Sequence, residues 1–341
     1  MRRRPRPHRR RALQAVHELA RQRGERARLG RPRFLGRGLH RGAWCIPVDL
    51  EARDDWQEWV AQVPEHGGGA DDRRFRKELA LLRGLDQRER PFGIPSPVGR
   101  VQVDHVTVTI THFCPGAPVD AGHLEPRHAA AILGTVAAQV HQLPWEGLVF
   151  PNTSHATARA DASQGLAELL EVRDADPPLL DDVLAWCQAH LPPADAPAVL
   201  THGDLLGQNV LHRHDGPPAV VDWELAGTGD PAADLAIITR GKRRPLGGRG
   251  TRQLLLDTYN ELAPYPVTAE RVYLHELCMV ADEVAWAREA GHTEQERQFL
   301  DQLTRLWNKG RRRTPSPAPR RSAPDGGPPP DIRQPTVPPT E

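Results

Sequence analysis

The chain has 341 residues, enough for two packed lobes around a sizeable core. Its net charge of +1 hides an asymmetry: residues 1–33 carry a net +11 and residues 309–341 a net +4, which leaves −14 for the body between them. That acidic body argues against nucleic acid there and favours polar or cationic small molecules, and no run of 18 apolar residues exists to span a membrane. Four Cys (Cys45, Cys114, Cys187, Cys278) stand far apart with no CxxC pair and no complete signal peptide, as expected of free thiols in the cytoplasm.

The first eleven residues, MRRRPRPHRRR, are too charged and Pro-broken to pack, and are expected to be disordered. A helix is predicted over residues 12–28, with Leu13, Val16, Leu19 and Ala20 on one face. Residues 1–30 thus read as a basic, largely disordered arm. It is a solvated extension or, in the alternative, a contact for nucleic acid or another anionic surface, with steeply salt-dependent binding.

Residues 34–63 read as strand, glycine-rich turn (GRGLHRG, 36–42), strand, connector and strand, the last ending at Pro64. A polar loop with Gly67, Gly68 and Gly69 precedes a helix over residues 71–85, with Phe75, Leu79 and Leu82 facing inward. Residues 101–113 alternate like a β-hairpin, and Cys114-Pro115-Gly116 punctuates the chain. Residues 31–114 therefore form a small, mainly antiparallel lobe with one helix.

Residues 115–308 read as a mainly helical lobe, with helices over 125–143, 164–172, 179–190, 251–261 and 270–308. Short apolar strands fall at 198–201 and 219–223. From residue 309 the Pro, Arg and Gly content predicts a disordered tail.

The informative stretch is LTHGDLLGQNVL at 200–211, followed by VVDWE at 220–224. Moving a phosphoryl group to a hydroxyl needs a carboxylate that orients the hydroxyl and takes its proton. It also needs oxygen ligands that hold Mg²⁺ against the phosphates. Asp204, then Asn209 five residues on, then Asp222 after an apolar strand supply those parts. Convergent buried carboxylates repel one another unless a cation lies between them, so the pattern itself implies a divalent ion.

At these residues the chain resembles the aminoglycoside phosphotransferase family, also called the phosphotransferase enzyme family, which has the protein-kinase-like fold. The family's HGDxxxxN stands here at 202–209, its hydrophobic-hydrophobic-Asp-aromatic-acid run at 220–224 and its GDPxxDLA at 229–236. The resemblance spans residues 30–308. It implies a two-lobed α+β fold, ATP and Mg²⁺ as cofactors, Asp204 as base, and Asn209 and Asp222 as metal ligands. His202, beside Asp204, would act in the catalytic loop, which it shapes with Gly203, and Asp230, Asp234 and His141 would be structural.

The same resemblance assigns the nucleotide to the first lobe. Gly36 and Gly38 would cover the phosphates, unless the turn is a plain hairpin. His112 and Cys114 would line the adenine pocket. A Lys or Arg on the third strand, braced by Glu78, would pair the phosphates. That cation position falls on Gln62, which departs from the family pattern. Either an Arg (Arg37, Arg41 or Arg53) substitutes from elsewhere, or turnover is poor and the chain is a pseudokinase-like nucleotide-binding protein.

For the acceptor, Asp282, Trp286 and Glu289 fall on one face of the C-terminal helical region, and carboxylates beside an aromatic ring suit an amine-bearing sugar. A solvated acidic face is the alternative. The expected activity is transfer of the ATP γ-phosphoryl group to a hydroxyl of a small molecule, aminoglycoside-like or otherwise polar or cationic.

Overall fold

The computed structural model describes residues 6–38, 41–51, 55–65, 69–240 and 246–311, with the side chains of residues 6, 7, 69–72 and 311 left aside. Residues 39–40 of the glycine-rich turn, Arg53, Gly67, Gly68 and the tail after residue 311 lie outside the described residues.

The chain begins with helix α1 (Arg6–Gln22), then strands β1 (Ala27–Leu29), β2 (Arg33–Arg37), β3 (Arg41–Leu50) and β4 (Gln57–Pro64). Helix α2 (Gly69–Asp86) and strands β5 (Pro97–Val103) and β6 (Val106–His112) complete the first lobe. The sheet order is β1-β3-β4-β6-β5, with β2 also on β3, and every pairing is antiparallel.

Strand alternation gives the sheet two unlike faces. One carries Trp44, Ile46, Val48, Trp59, Ala61, Val63, Val106, Val108 and Ile110, and α1 packs Ala12, Ala15, Val16, Leu19 and Ala20 onto it. The other carries Arg41, Gln62 and Thr109, which meet through their side chains.

Two expectations are corrected here. The helix starts at Arg6 and stops at Gln22, so residues 6–11 are helical, and residues 27–29 form a strand instead of continuing the helix. The helix forms because every third or fourth residue from Ala12 is small or apolar and has a sheet to cover, and that burial outweighs the charge of its first turns. Gly99 marks the closeness of the packing, since a Cβ there would lie 2.9 Å from a Leu19 methyl.

The second part runs through β7 (Ala117–Pro118), α3 (Pro126–His141), α4 (Ala158–Glu171) and α5 (Pro177–Ala189). Then come β8 (Val199–Thr201), β9 (Val210–His212), β10 (Ala219–Val220), β11 (Gly227–Gly229), α6 (Pro231–Arg240), α7 (Thr251–Leu262), α8 (Ala269–Glu289) and α9 (Thr293–Arg311). The single helix expected over 270–308 is two. Gly291, at φ 68°, ends α8 in the left-handed conformation, and the N–H of His292 returns to the Ala287 carbonyl. Helix α9 continues to Arg311 into the expected tail, passing Tyr273 so closely at Gly310 that a side chain there would strike the phenol ring.

Strand pairing positions the site. Val210 stands opposite Val220 and Thr201 opposite Gly227, so the loop between β8 and β9 lies against the loop between β10 and β11. These two loops carry Asp204 and Asp222.

Leu19→Ala is expected to lower stability by about 2–4 kcal/mol through the cavity it leaves under α1. Chemical denaturation measures this, and an unchanged midpoint would mean that α1 is not part of the core.

Candidate active site

The loop after β8 is held from below. Asp234, fully buried on α6, accepts the N–H of His202 at 2.8 Å and of Gly203 at 2.9 Å, and meets His141 Nε2 at 3.1 Å. His141 Nδ1 meets the Tyr259 hydroxyl at 3.0 Å. Burial alone would raise the Asp234 pKa, but the hydrogen bond and charge of His141, with His202, hold it below the usual carboxylate range. Gly203 sits at φ 76° with the Leu225 backbone pressed against it, which leaves no room for a Cβ.

His202 is fully buried and both its ring nitrogens are used. The Asp204 N–H donates to Nδ1 at 3.2 Å, so Nε2 carries the hydrogen and donates to the Val221 carbonyl at 3.1 Å. The imidazole thus ties one loop to the other, and burial lowers its pKa and keeps it neutral.

Asn209 Nδ2 donates to the Asp204 backbone carbonyl and to Asp204 Oδ2, both at 2.8 Å. The five-residue spacing closes a loop with Asp204 at its mouth. Burial first, then the charge of Asp222, pushes the Asp204 carboxyl up to about 7, and the Asn209 hydrogen bond opposes them. Asp222 sits at φ 69°, a conformation costly for a non-glycine residue, which turns it out of the strand end.

The donor set fits a hard divalent cation. Asn209 has spent its amide N–H groups on Asp204 and keeps its carbonyl oxygen. Glu224 Oε2 is buried without a hydrogen-bond partner among the described residues, and burial pushes that carboxyl up to about 7. These are all oxygen ligands, as Mg²⁺ prefers. Among the described residues no group of three or more His, Cys, Asp or Glu is poised as a metal site.

Arg41, at the start of β3, reaches into this site. Its guanidinium meets Glu78 on α2 through both amino groups, at 2.5 and 2.9 Å. It also meets Asp222 Oδ1 at 2.5 Å, Gln62 Oε1 at 3.1 Å and Glu224 Oε2 at 3.5 Å. Burial would weaken its charge, but Glu78 and Asp222 hold its pKa well above the usual value.

The remaining expected residues lie as follows. Gly36 is in β2 and Gly38 donates its N–H to the Arg41 carbonyl, which closes the turn. His112 ends β6, half-buried, with its ring edge-on to Trp59, and Cys114 follows, a free thiol that burial pushes up to about 11. Asp282, Trp286 and Glu289 share an exposed face of α8, and the Trp286 ring lies 5.4 Å from that of His292. Next to them, burial and then Asp282 push the Glu168 carboxyl on α4 up to about 7. Neither Glu168 nor the acid at 224 stood among the expected site residues.

Residues 50–265 match the family described as "Phosphotransferase enzyme family". The chain belongs to that family. It is 32% identical over 182 residues to viomycin phosphotransferase of Streptomyces vinaceus, which is 50% of this chain and 63% of that protein. It is 38% identical over 58 residues to ethanolamine kinase 2 of Mus musculus, 17% of this chain and 15% of that protein. It is 40% identical over 67 residues to acyl-CoA dehydrogenase family member 11 of Gallus gallus, 19% of this chain and 9% of that protein. The chain thus spans less than two thirds of the length of each of these relatives.

The fold is the kinase-like fold of solved phosphotransferases. Macrolide 2'-phosphotransferase MphH from Brachybacterium faecium superposes with a TM-score of 0.60 at 20% identity, over 83% of this chain and 96% of that one. The GDP complex of wild-type aminoglycoside 2'-phosphotransferase-IIIa superposes with a TM-score of 0.61 at 16% identity, over 83% and 94%. The expected two-lobed α+β architecture is what this family member has. No described helix is long and apolar enough to cross a membrane.

Asp234→Asn is expected to cost about 2 kcal/mol of stability at pH 7, because it weakens a buried, fully used acceptor. Its folded pKa is depressed, so the carboxylate's contribution is complete above its unfolded pKa of about 4 and is lost as pH falls through the folded value. Denaturation of both proteins between pH 3 and 8 should show a constant gap above pH 5 that closes in acid. A gap that is widest in acid would contradict this.

Proposed function

We propose that the chain transfers the γ-phosphoryl group of ATP, with Mg²⁺, to a hydroxyl of a small polar or cationic acceptor. The observation that carries this is Asp204, a carboxylate fixed by Asn209 at the mouth of a loop and raised towards neutrality by burial and Asp222. A base with that affinity for protons suits a hydroxyl that gives up its own.

In this reading Asp204 orients the acceptor hydroxyl and takes its proton. Asn209 and Asp222 would hold Mg²⁺, whose charge would neutralise the phosphate oxygens when bound. His202 then acts through Asp204 as a positioning residue, since both its ring nitrogens face protein groups. Residues 31–114 form the nucleotide lobe, with Gly36, Gly38, His112 and Cys114 around ATP, and residues 115–308 form the catalytic and acceptor lobe. The four free cysteine thiols support a cytoplasmic enzyme.

Support for a cationic acceptor comes from α8 and α4. Asp282 and Glu289 share an exposed face of α8 with Trp286, and Glu168 on α4, close enough to feel the Asp282 charge, holds a raised pKa that a bound cation would relieve. Viomycin, named for one relative, belongs in a first acceptor panel with aminoglycosides and simple amino alcohols. A second reading, a nucleotide-binding protein without turnover, draws on Gln62. Detectable transfer from ATP to any acceptor eliminates it.

Asp204→Asn should lower phosphoryl transfer by at least about 10²-fold while Mg-ATP binding survives. ADP release under acceptor saturation, with calorimetry for binding, measures both. Turnover equal to the parent's would remove Asp204 from the base role.

A further inference from the structure

The kinase-like pattern seeks a cation at residue 62 and finds an amide. The sheet supplies one from the next strand. β3 and β4 are antiparallel, with Arg41 opposite Pro64 and Ala43 opposite Gln62. Arg41 and Gln62 are therefore diagonal neighbours on one face, a separation that a long side chain spans. The guanidinium reaches past the Gln62 carbonyl to Glu78, the carboxylate that a cation at 62 would have met.

The other candidates are accounted for. Arg37 is mostly exposed and pairs with Glu65 at 2.8 Å, and Arg53 lies outside the described residues. Arg41 alone of the three is shown buried among the site's groups. Its guanidinium carbon also lies over the Phe75 ring, 5.0 Å from the centroid, within cation–π range.

Gln62 has its own task. Its Oε1 accepts from Arg41 and from the Thr109 hydroxyl, each at 3.1 Å. The hydroxyl aims the amide carbonyl at the guanidinium. A lysine at 62 would instead place a second cation against Arg41, so glutamine is the residue that suits a cation arriving from β3.

Charge says what Arg41 lacks. The Arg41 guanidinium faces the carboxyls of Glu78, Asp222 and Glu224, and with Arg74 adding only a weaker pull on Glu224 the carboxyls outnumber the cations at this point. Glu78 takes one edge of the fork through two bonds. The contact with Asp222 uses one of those same two amino groups, on the side of the residues that would hold Mg²⁺.

We propose that Arg41 is the cation that grips the nucleotide phosphates in this chain, displaced one strand from the position the family pattern assigns, with Gln62 and Glu78 orienting it. This rests on the phosphotransferase reading above. Asp222, which accepts from this guanidinium at 2.5 Å, would hold Mg²⁺ with Asn209, and Arg41 would then turn this contact to the phosphates.

The test compares the parent with Arg41→Gln, Gln62→Lys and the double variant Arg41→Gln/Gln62→Lys. Affinity for ATP and for adenosine is measured by calorimetry with and without Mg²⁺, and ATP KM and kcat are measured alongside. Arg41→Gln should weaken ATP by at least about 10-fold, the worth of one charge-assisted contact, and leave adenosine unchanged. The double variant returns a cation to β4 and should recover most of the ATP affinity, whereas Gln62→Lys alone should not improve on the parent. The double variant also keeps the cluster's counter-charge, so it gives an answer if Arg41→Gln does not fold. ATP affinity at the parent's level in Arg41→Gln, or a folded double variant at least about 10-fold weaker than the parent, would overturn the assignment. A parent that binds neither ATP nor adenosine would instead overturn the phosphotransferase reading itself, and the Arg41 assignment with it.

Discussion

The site is organised by an excess of buried negative charge around one guanidinium. Glu78 comes from α2, Asp222 and Glu224 from the loop after β10, and all three lie within ion-pair distance of Arg41 on β3. Carboxylates taken out of water are costly unless paired, and Arg41, with a weaker pull from Arg74 on Glu224, leaves the carboxyls in excess. The raised pKa values of Asp204 and Glu224 express the same strain, each led by burial and increased by Asp222.

The scaffold below the cluster is built to be rigid where the cluster is not yet neutral. Asp234 satisfies two consecutive backbone N–H groups and a histidine, His202 bridges Asp204 to Val221, and Trp223 is fully buried with its indole N–H on the Val220 carbonyl. The two strand pairs that carry the loops fix their spacing from both ends. The half-buried Asp222 carboxylate on a positive-φ backbone is thereby over-determined by its neighbours, the condition under which such strain persists.

How much of this was legible follows from distance along the chain. Asp204, Asn209 and Asp222 are local to two short segments joined by apolar strands, so their spacing could be read directly. Arg41 could be named only as one of three arginines, because its selection depends on a cross-strand diagonal that no linear spacing records. The start of α1 was hidden by the opposite error. Eleven charged or Pro-broken residues weigh as disorder when counted alone, yet the helix runs from Arg6 once Ala12, Val16 and Leu19 have a sheet to cover. The break between α8 and α9 was visible in principle at Gly291-His292, and was overridden by apolar periodicity that continues on either side.

The two faces of the sheet explain why the corrected α1 and the proposed role of Arg41 belong together. Period-two alternation places Trp44, Ile46 and Val48 on the α1 side of β3, and Arg41 and Ala43 on the site side. With α1 covering the first face, the sheet buries its apolar residues without help from the opposite face. The site side is then free to hold Arg41, Gln62 and Thr109, polar groups that would otherwise weaken a core. Loss of the α1 cover would expose the backs of the same strands whose register sets Arg41 against Gln62. The basic N-terminal helix and the displaced cation are thus linked through one sheet, although no residue of α1 touches the site's carboxylates among the contacts described.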